Sequence, residues 1–397
     1  MKKYFILFLL FIGIISVSQA QISKSEMRTD LYFLRDTLPA KHLNLFAKIS
    51  RSDFEKSIVS LDARIDTLDE EPFFTEIFQI IKAIGDEHTR FRPDLSPYRL
   101  PIRFTLFKEG CFVTEAHQSE LLLGKLIAIN GIDMEEIINR FKKILYDENP
   151  SYFDISLPQY LNNTYILKGL GITQTKDSIT CTFLNTDHKT ISAVLKPDPK
   201  AKLRKAPSST ELRAFKGKGI YGQIYDKEQN LIYVYYRSCQ QDKKYPFSTF
   251  TRELLDTIAN RHPQKLIIDL RYNGGGNSSI MDPLIDSLQN GYLSREHKLY
   301  VLIGKQTFSS ALLNAMSLKK QCQAILVGEA TAGSVNHYGE VRTFELPYSQ
   351  AIVTYSTKYF ETWKGHDGAL IPDKTIPASV EDFKRGRDSV LEYIYRQ

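Results

Sequence analysis

KLIIDLRYNGGGNSS, residues 265–279, constrains this chain more than any other stretch. Leu266, Ile267 and Ile268 are apolar at successive positions in a run too short for a helix. Both faces of such a segment need cover, which is the pattern of a central strand in an α/β sheet. HKLYVLIG, residues 297–304, has the same pattern. Helical spacing recurs around these strands: Phe250, Leu254 and Ile258 share one face, and Leu312, Ala315 and Met316 share another. In order the segments are LIYVYYRS, a helix, KLIIDLR, HKLYVLIG, a helix from about Ser310, QAILVGEA, and a two-sided strand region, RTFELPYSQAIVTYSTKYF. That order predicts an α/β layer on a central sheet over residues 204–397.

Residues 21–92 read as helical. Phe54, Ile58, Leu61 and Ile65 recur at helical spacing, as do Phe74, Ile77, Phe78, Ile81 and Ile84, and Gly85 suits the stop of the second series. Residues 93–203 alternate strand-like runs (IRFTLF, CFVTEA, KLIAING, SITCTFLN) with one clear helix, MEEIINRFKKIL. Within them LLGKLIAINGIDMEEIINRF resembles the core of a PDZ-like peptide-binding module; a plain α+β insertion is the alternative. KPDPKAKLRKAPSS, residues 196–209, is basic, contains proline and marks the clearest boundary. The whole reads as a mixed α+β multidomain chain.

The first twenty residues, MKKYFILFLLFIGIISVSQA, have two lysines, an apolar run and a Ser-Gln-Ala ending. They predict a cleaved secretory signal peptide and a periplasmic or secreted mature protein. An uncleaved anchor is the alternative, though the run is short for a span and no lipid-modifiable Cys follows. Lys and Arg together number 52 against 46 acidic residues and are scattered, so nothing predicts a nucleic-acid partner. Cys111, Cys181, Cys239 and Cys322 lie far apart, without metal-like spacing, and no disulfide is expected. Oligomeric state is not legible.

The glycines pose the chemical question. Asn273-Gly274-Gly275-Gly276 begins at the carboxyl end of LIIDL, where open α/β sheets place ligand sites. Backbone without side chains can turn sharply there and bring N–H groups to a bound anion or oxyanion. A nucleotide-phosphate loop does not fit, because no Gly-Lys-Ser/Thr follows. On the next strand, LYVLIGKQTFSSALLNAM passes from a buried strand through Ser309-Ser310 into a helix. A serine at such a junction is held in the open against the positive helix end and can attack a carbonyl; the competing use is a helix N-cap. Asp269, inside an apolar strand, calls for a partner, and Arg271 reads better as that structural partner than as a substrate clamp.

Taken together, DLRYNGGGN, TFSSA some thirty-five residues later, GEATAG and the late Pro-Asp pair resemble the catalytic core of the tail-specific or C-terminal-processing serine proteases, the S41 peptidase family. The resemblance covers about 205–380, with GDEHT in the N-terminal region. It implies a serine peptidase acting on peptide or protein substrates without a metal or organic cofactor. Ser309 matches the family's nucleophile, and Gly274 or Gly275, with the N–H of Ser310, its oxyanion hole. The bacterial processing enzymes of the family use a lysine base in a Gly-Glu-Lys-Thr-x-Gly-Lys-Gly context. This chain has Ala330 and Ser334 where that pattern has lysines, so a Ser/Lys dyad is not expected.

The tricorn-like branch uses a histidine from the N-terminal side, and His88 in GDEHT matches it, with Thr89 or Asp86 to orient the ring. Neutral imidazole suits that task near neutral pH. His337, in the loop nearest the lost lysine, is the competing base. His42, His117, His188, His262 and His297 have no motif context and read as surface or packing residues. For the acid that steadies the imidazolium the branch pattern points to Asp367 in WKGHDGALIPD, with His366 an equal occupant of that position and Glu329 and Glu340 as fallbacks. The middle region would position the peptide, for instance by strand addition. Two other functions stay open: a catalytically inactive binding protein on the same scaffold, for peptides or small hydrophobic ligands, and hydrolysis of small esters.

Overall fold

The computed structural model describes residues 21–207, 213–289 and 298–397; the predicted signal peptide, residues 1–20, and the linker's last two residues lie outside them. Helix α1 (Lys24–Lys41) starts from a capping box in which Ser23 and Glu26 satisfy each other's backbone N–H. With α2 (Arg51–Asp62) and α3 (Glu70–Ala83) it forms an N-terminal layer, where Leu31, Leu34 and Leu38 meet Phe54, Ile58, Leu61 and Ile77. Gly85 follows α3 with φ +73°, a conformation glycine takes without cost, and the chain turns toward β1 (Arg90–Arg92).

The middle region contains β2 (Ile102–Phe107), β3 (Gly110–Ala116), β4 (Lys125–Ile129), β5 (Ile132–Asp133), α4 (Met134–Phe141), α5 (Pro150–Leu161), α6 (Thr164–Gly169), β6 (Ile179–Leu184), β7 (Thr190–Leu195) and β8 (Arg204–Lys205). Its sheet runs β2-β3-β4-β6-β7, with β5 on β4 and β8 on β3. Three helices stand where the sequence reading expected one. Asn149 and Asn163 start α5 and α6, Asn149 accepting from Ser151 and Tyr152 N–H and Asn163 from Tyr165 and Ile166 N–H, and Pro158 inside α5 hides the helical pattern. The linker is not wholly irregular, since β8 within it pairs with β3.

The C-terminal region contains α7 (Arg213–Lys216), β9 (Tyr221–Asp226), β10 (Leu231–Tyr236), α8 (Phe247–Arg261), β11 (Lys265–Asp269), α9 (Asp282–Gln289), β12 (Lys298–Ile303), α10 (Ser310–Cys322) and β13 (Ile325–Gly328). These are followed by β14 (Asn336–Glu345), β15 (Ile352–Glu361), β16 (Lys374–Thr375), α11 (Val380–Arg385) and α12 (Ser389–Tyr395). The sheet order is β16-β13-β12-β11-β10-β9, parallel except for β9. Ile268 and Val301 pack under α8, α9 and α10, while Ile267, Tyr300 and Leu302 pack against Val390, Leu391 and Ile394 of α12. Both faces are covered, as two-sided apolar strands require. The architecture is mixed α+β, and the four cysteines are buried and unpaired.

One pairing positions the site. β1 joins β15 antiparallel, with Arg90 opposite Thr354, and β14 completes this third sheet. The GDEHT loop, early in the chain, is thereby fastened to a hairpin near its end.

Candidate active site

Ser309 occupies the junction between β12 and α10 with φ +52° and ψ −126°, backbone values that cost a non-glycine residue roughly 1–3 kcal/mol. Its hydroxyl makes no capping bond to the helix, although the residue holds the N-cap position. Ser310 does not cap either: its hydroxyl donates to Gly276 O at 2.7 Å. Neighbours impose the strained turn. Thr307 Oγ1 donates to Leu270 O (2.8 Å) and accepts from Gly304 N–H (3.0 Å), and Phe308 N–H donates to Asn273 O (3.1 Å).

The glycine loop is held by buried Asn273, whose Nδ2 donates to Tyr236 O and whose Oδ1 accepts Gly275 N–H at 2.9 Å. Gly275, at φ +104°, lies against the serine turn: a Cβ there would stand 2.9 Å from Ser309 Cβ and 3.0 Å from Ser310 N. At Gly276 a Cβ would come 2.3 Å from Cys239 O. The glycines thus permit an approach of backbone to serine that side chains would block. Of the two candidate oxyanion donors in the loop, Gly275 N–H is already committed to Asn273. Gly274 N–H and Ser310 N–H make no hydrogen bond among the described residues.

His88 is 6% exposed, and neither ring nitrogen has a hydrogen-bond partner among the described residues. Its imidazole lies 4.6 Å, centroid to centroid, from the ring of Phe308, the residue before Ser309, and 5.3 Å from His337 in a stacked arrangement. Burial pushes the His88 pKa down to about 3; Asp86 opposes that shift, while His337 and Arg90 reinforce it. The sequence reading supposed a near-ordinary imidazole. The structure instead keeps it neutral throughout the physiological range. His337 Nδ1 is engaged with Ser334 O at 2.8 Å, and its ring also stacks on Phe360.

The carboxylate facing His88 is Asp86. Its Oδ1 accepts His88 N–H (2.9 Å) and stands 4.0 Å from His88 Nδ1, while Oδ2 accepts from Thr89 (2.6 Å), Ser356 (2.7 Å) and His42 Nε2 (3.0 Å). Burial works against ionisation, but these hydrogen bonds and the neighbouring imidazole hold the carboxyl well below the usual range. His42 is therefore no surface or packing residue: Asn44 N–H donates to its Nδ1 at 3.0 Å, which fixes Nε2 as the nitrogen that donates to Asp86.

Glu87 couples this loop to the one over the serine. It accepts Ser334 N–H (2.8 Å) and Ser334 Oγ–H (3.1 Å), and burial pushes its carboxyl up to about 7. The adjacent Gly333 packs on the serine turn, where a Cβ would lie 3.3 Å from Ser309 N. Asn149, from the missed helix α5, donates to Thr331 O and Ala332 O and holds the same loop. The position that carries a lysine in Ser/Lys enzymes thus belongs here to a Glu87–Ser334 clamp.

The remaining candidates lie elsewhere. Asp367 is exposed on the loop before Pro372 and makes no hydrogen bond or ion pair with His88; His366 stacks on Trp363 at 3.8 Å. Glu329 is within 3.6 Å of Lys305, and Glu340 is exposed. Arg271 fills the structural role expected of it, bridging Asp269 (2.6 Å) and Asp388 (2.7 Å). Sequence reasoning missed His42, Glu87 and Asn149. Only Glu87 carried a signal, its place beside His88.

No family model and no curated protein matches the sequence. Solved structures do match. Mature CPAF complexed with lactacystin aligns with TM-score 0.64 and 14% identity over 94% of this chain and 98% of that one. Mature CPAF alone gives 0.63 and 14% over 94% and 97%. The photosystem II D1 C-terminal processing protease aligns at 0.42 with 15% identity over 94% and 97%. Over nearly its whole length the chain shares the fold of mature CPAF. No helix among the described residues is long and apolar enough to cross a membrane.

Proposed function

We propose that this chain is an exported serine peptidase that hydrolyses peptide bonds through an acyl-enzyme on Ser309, with His88 as the base. One observation carries the reading. A serine in strained backbone, its hydroxyl making no capping bond, adjoins a phenylalanine whose ring lies 4.6 Å from a buried imidazole with neither nitrogen partnered among the described residues. A structural serine would cap the helix, and a structural histidine would satisfy its ring.

Ser309 Oγ attacks the peptide carbonyl as its proton passes to His88, and the N–H groups of Gly274 and Ser310 receive the oxyanion. His88 then gives that proton to the leaving amine, and water repeats the sequence to release the acid. Asp86, 4.0 Å from the ring, steadies the imidazolium. Burial disfavours the charged ring, and the Asp86 carboxylate acts against that cost.

Labelling of the mature protein with a fluorophosphonate tests the proposal. Wild type is expected to label, while Ser309→Ala and His88→Ala stay silent. Absence of label on folded wild type would favour the inactive binding protein, and label with turnover of esters but not peptides would narrow the substrate to small esters.

A further inference from the structure

Resting on the peptidase reading, we propose that His42 is a positioning residue of the reaction: its Nε2–H holds the Asp86 carboxylate toward His88 and so sets the rate at which Ser309 is activated. His42 closes α1, where its own backbone N–H donates to Leu38 O at 3.0 Å. The next residue is fastened too, Leu43 N–H donating to Ser356 O at 3.0 Å. Ser356, on β15, gives its hydroxyl to Asp86 at 2.7 Å. The end of α1, the GDEHT loop and β15 therefore meet at one carboxylate.

Three features give this buried His–Asp pair a task beyond structure. The first is how the two carboxylate oxygens divide their partners. Oδ2 takes the side-chain donors of Thr89, Ser356 and His42, whereas Oδ1 takes the backbone N–H of His88 and stands 4.0 Å from that residue's Nδ1. The donors on Oδ2 thus fix the plane of the group and leave Oδ1 for the ring. The second is rigidity. Hydroxyls rotate, but the imidazole proton cannot move, because Nδ1 accepts Asn44 N–H at 3.0 Å and the one ring proton must sit on Nε2, 3.0 Å from Asp86.

The third is charge. A lysine or arginine in this place would cancel the negative charge that an imidazolium at His88 needs. A neutral N–H donor stabilises the carboxylate and leaves its charge for His88. The bond is also dry, with the side chains of His42 and Asp86 only 1% and 3% exposed, so water does not compete for it. Tyr338 helps to cover it: its ring lies 5.5 Å from that of His42, and its hydroxyl accepts from Asn44 Nδ2 at 3.3 Å. Asn44 thereby secures both the imidazole and its cover.

The test measures fluorophosphonate labelling of the mature protein over a range of probe concentrations, which separates the maximal rate from the concentration that gives half of it. His42→Phe keeps a ring without donor or acceptor. His42→Asn can still accept Asn44 N–H but falls short of Asp86, and His42→Gln carries an N–H to about the place of Nε2. His42→Gln is expected to keep most of the wild-type rate. His42→Phe and His42→Asn should label about ten- to hundredfold more slowly at saturation, with the half-saturating concentration unchanged. In an Asp86→Asn background His42→Phe should slow labelling by less than about twofold, because its effect runs through Asp86. Rates are taken on protein shown by circular dichroism to be folded, and Gln against Asn decides if the Phe variant does not fold. His42→Phe at the wild-type rate, His42→Asn faster than His42→Gln, or a full further loss on top of Asp86→Asn would overturn the proposal and leave the peptidase reading intact. Folded wild type that does not label overturns that reading, and this inference with it.

Discussion

Asp86→Asn removes a charge while nearly keeping the shape, and the structure sets the expected loss. Asp86 Oδ1 stands 4.0 Å from His88 Nδ1. At an effective dielectric of about 20, opposite unit charges at that separation attract by about 4 kcal/mol. The attraction exists only while His88 is protonated, that is, in the transition states that transfer the serine proton. At 1.36 kcal/mol per decade, the acylation rate should fall by about a thousandfold. Stability should fall as well. Four groups donate to Asp86, and an amide offers them one oxygen and an NH2. Thr89 and Ser356 can rotate their hydroxyls, but His42 cannot swap tautomers without losing Asn44 N–H. One or two donors left unpaired cost roughly 2–4 kcal/mol. The rate of fluorophosphonate labelling reads the first effect, and denaturant unfolding reads the second. A folded Asp86→Asn protein that labels at the wild-type rate would refute the reasoning and return the search for the acid to Asp367.

Asp367→Ala, at an exposed position, should change stability by less than about 0.5 kcal/mol and leave the labelling rate unchanged; a hundredfold loss would place Asp367 in the reaction after a movement of its loop. Gly275→Ala should abolish labelling and cost about 2–4 kcal/mol, because φ +104° and contacts of 2.9–3.0 Å to the serine turn leave no room for a methyl group; Gly274→Ala, with open space around it, should unfold within about 1 kcal/mol of wild type. Thermal unfolding against pH should show two opposed contributions. His88, pushed down to about 3, stabilises the folded chain above the ordinary imidazole pKa of about 6.5, a contribution lost as pH falls toward 3. Glu87, pushed up to about 7, stabilises below about 4.3, a contribution lost as pH rises through 7. His88→Ala should flatten the acid limb and Glu87→Gln the limb near neutrality; unchanged profiles would refute these assignments.

The parts of the site legible in the sequence are those whose chemistry needs an unusual backbone. Only glycine tolerates the approach of Gly275 to Ser309, and only a strand-to-helix junction exposes a serine as β12 and α10 do, so residue type and periodicity announce both. Partners across the fold leave no such mark. Arg90–Arg92 is a three-residue strand whose register with β15 spans 264 positions between Arg90 and Thr354, and no local period encodes that distance. Yet this pairing brings Ser356 to Asp86 and fastens the histidine loop to the hairpin. His42 carries no mark for the same reason: its partner Asp86 lies 44 residues away, and the intervening helices bring them together. Asp367 shows the converse. A motif's order along the chain names it, whereas the carboxylate within ion-pair distance of the His88 ring is Asp86, two residues before the histidine. Spacing ranks a carboxylate by sequence neighbourhood, whereas an imidazolium responds to distance, and at 4.0 Å Asp86 is the charge His88 meets first.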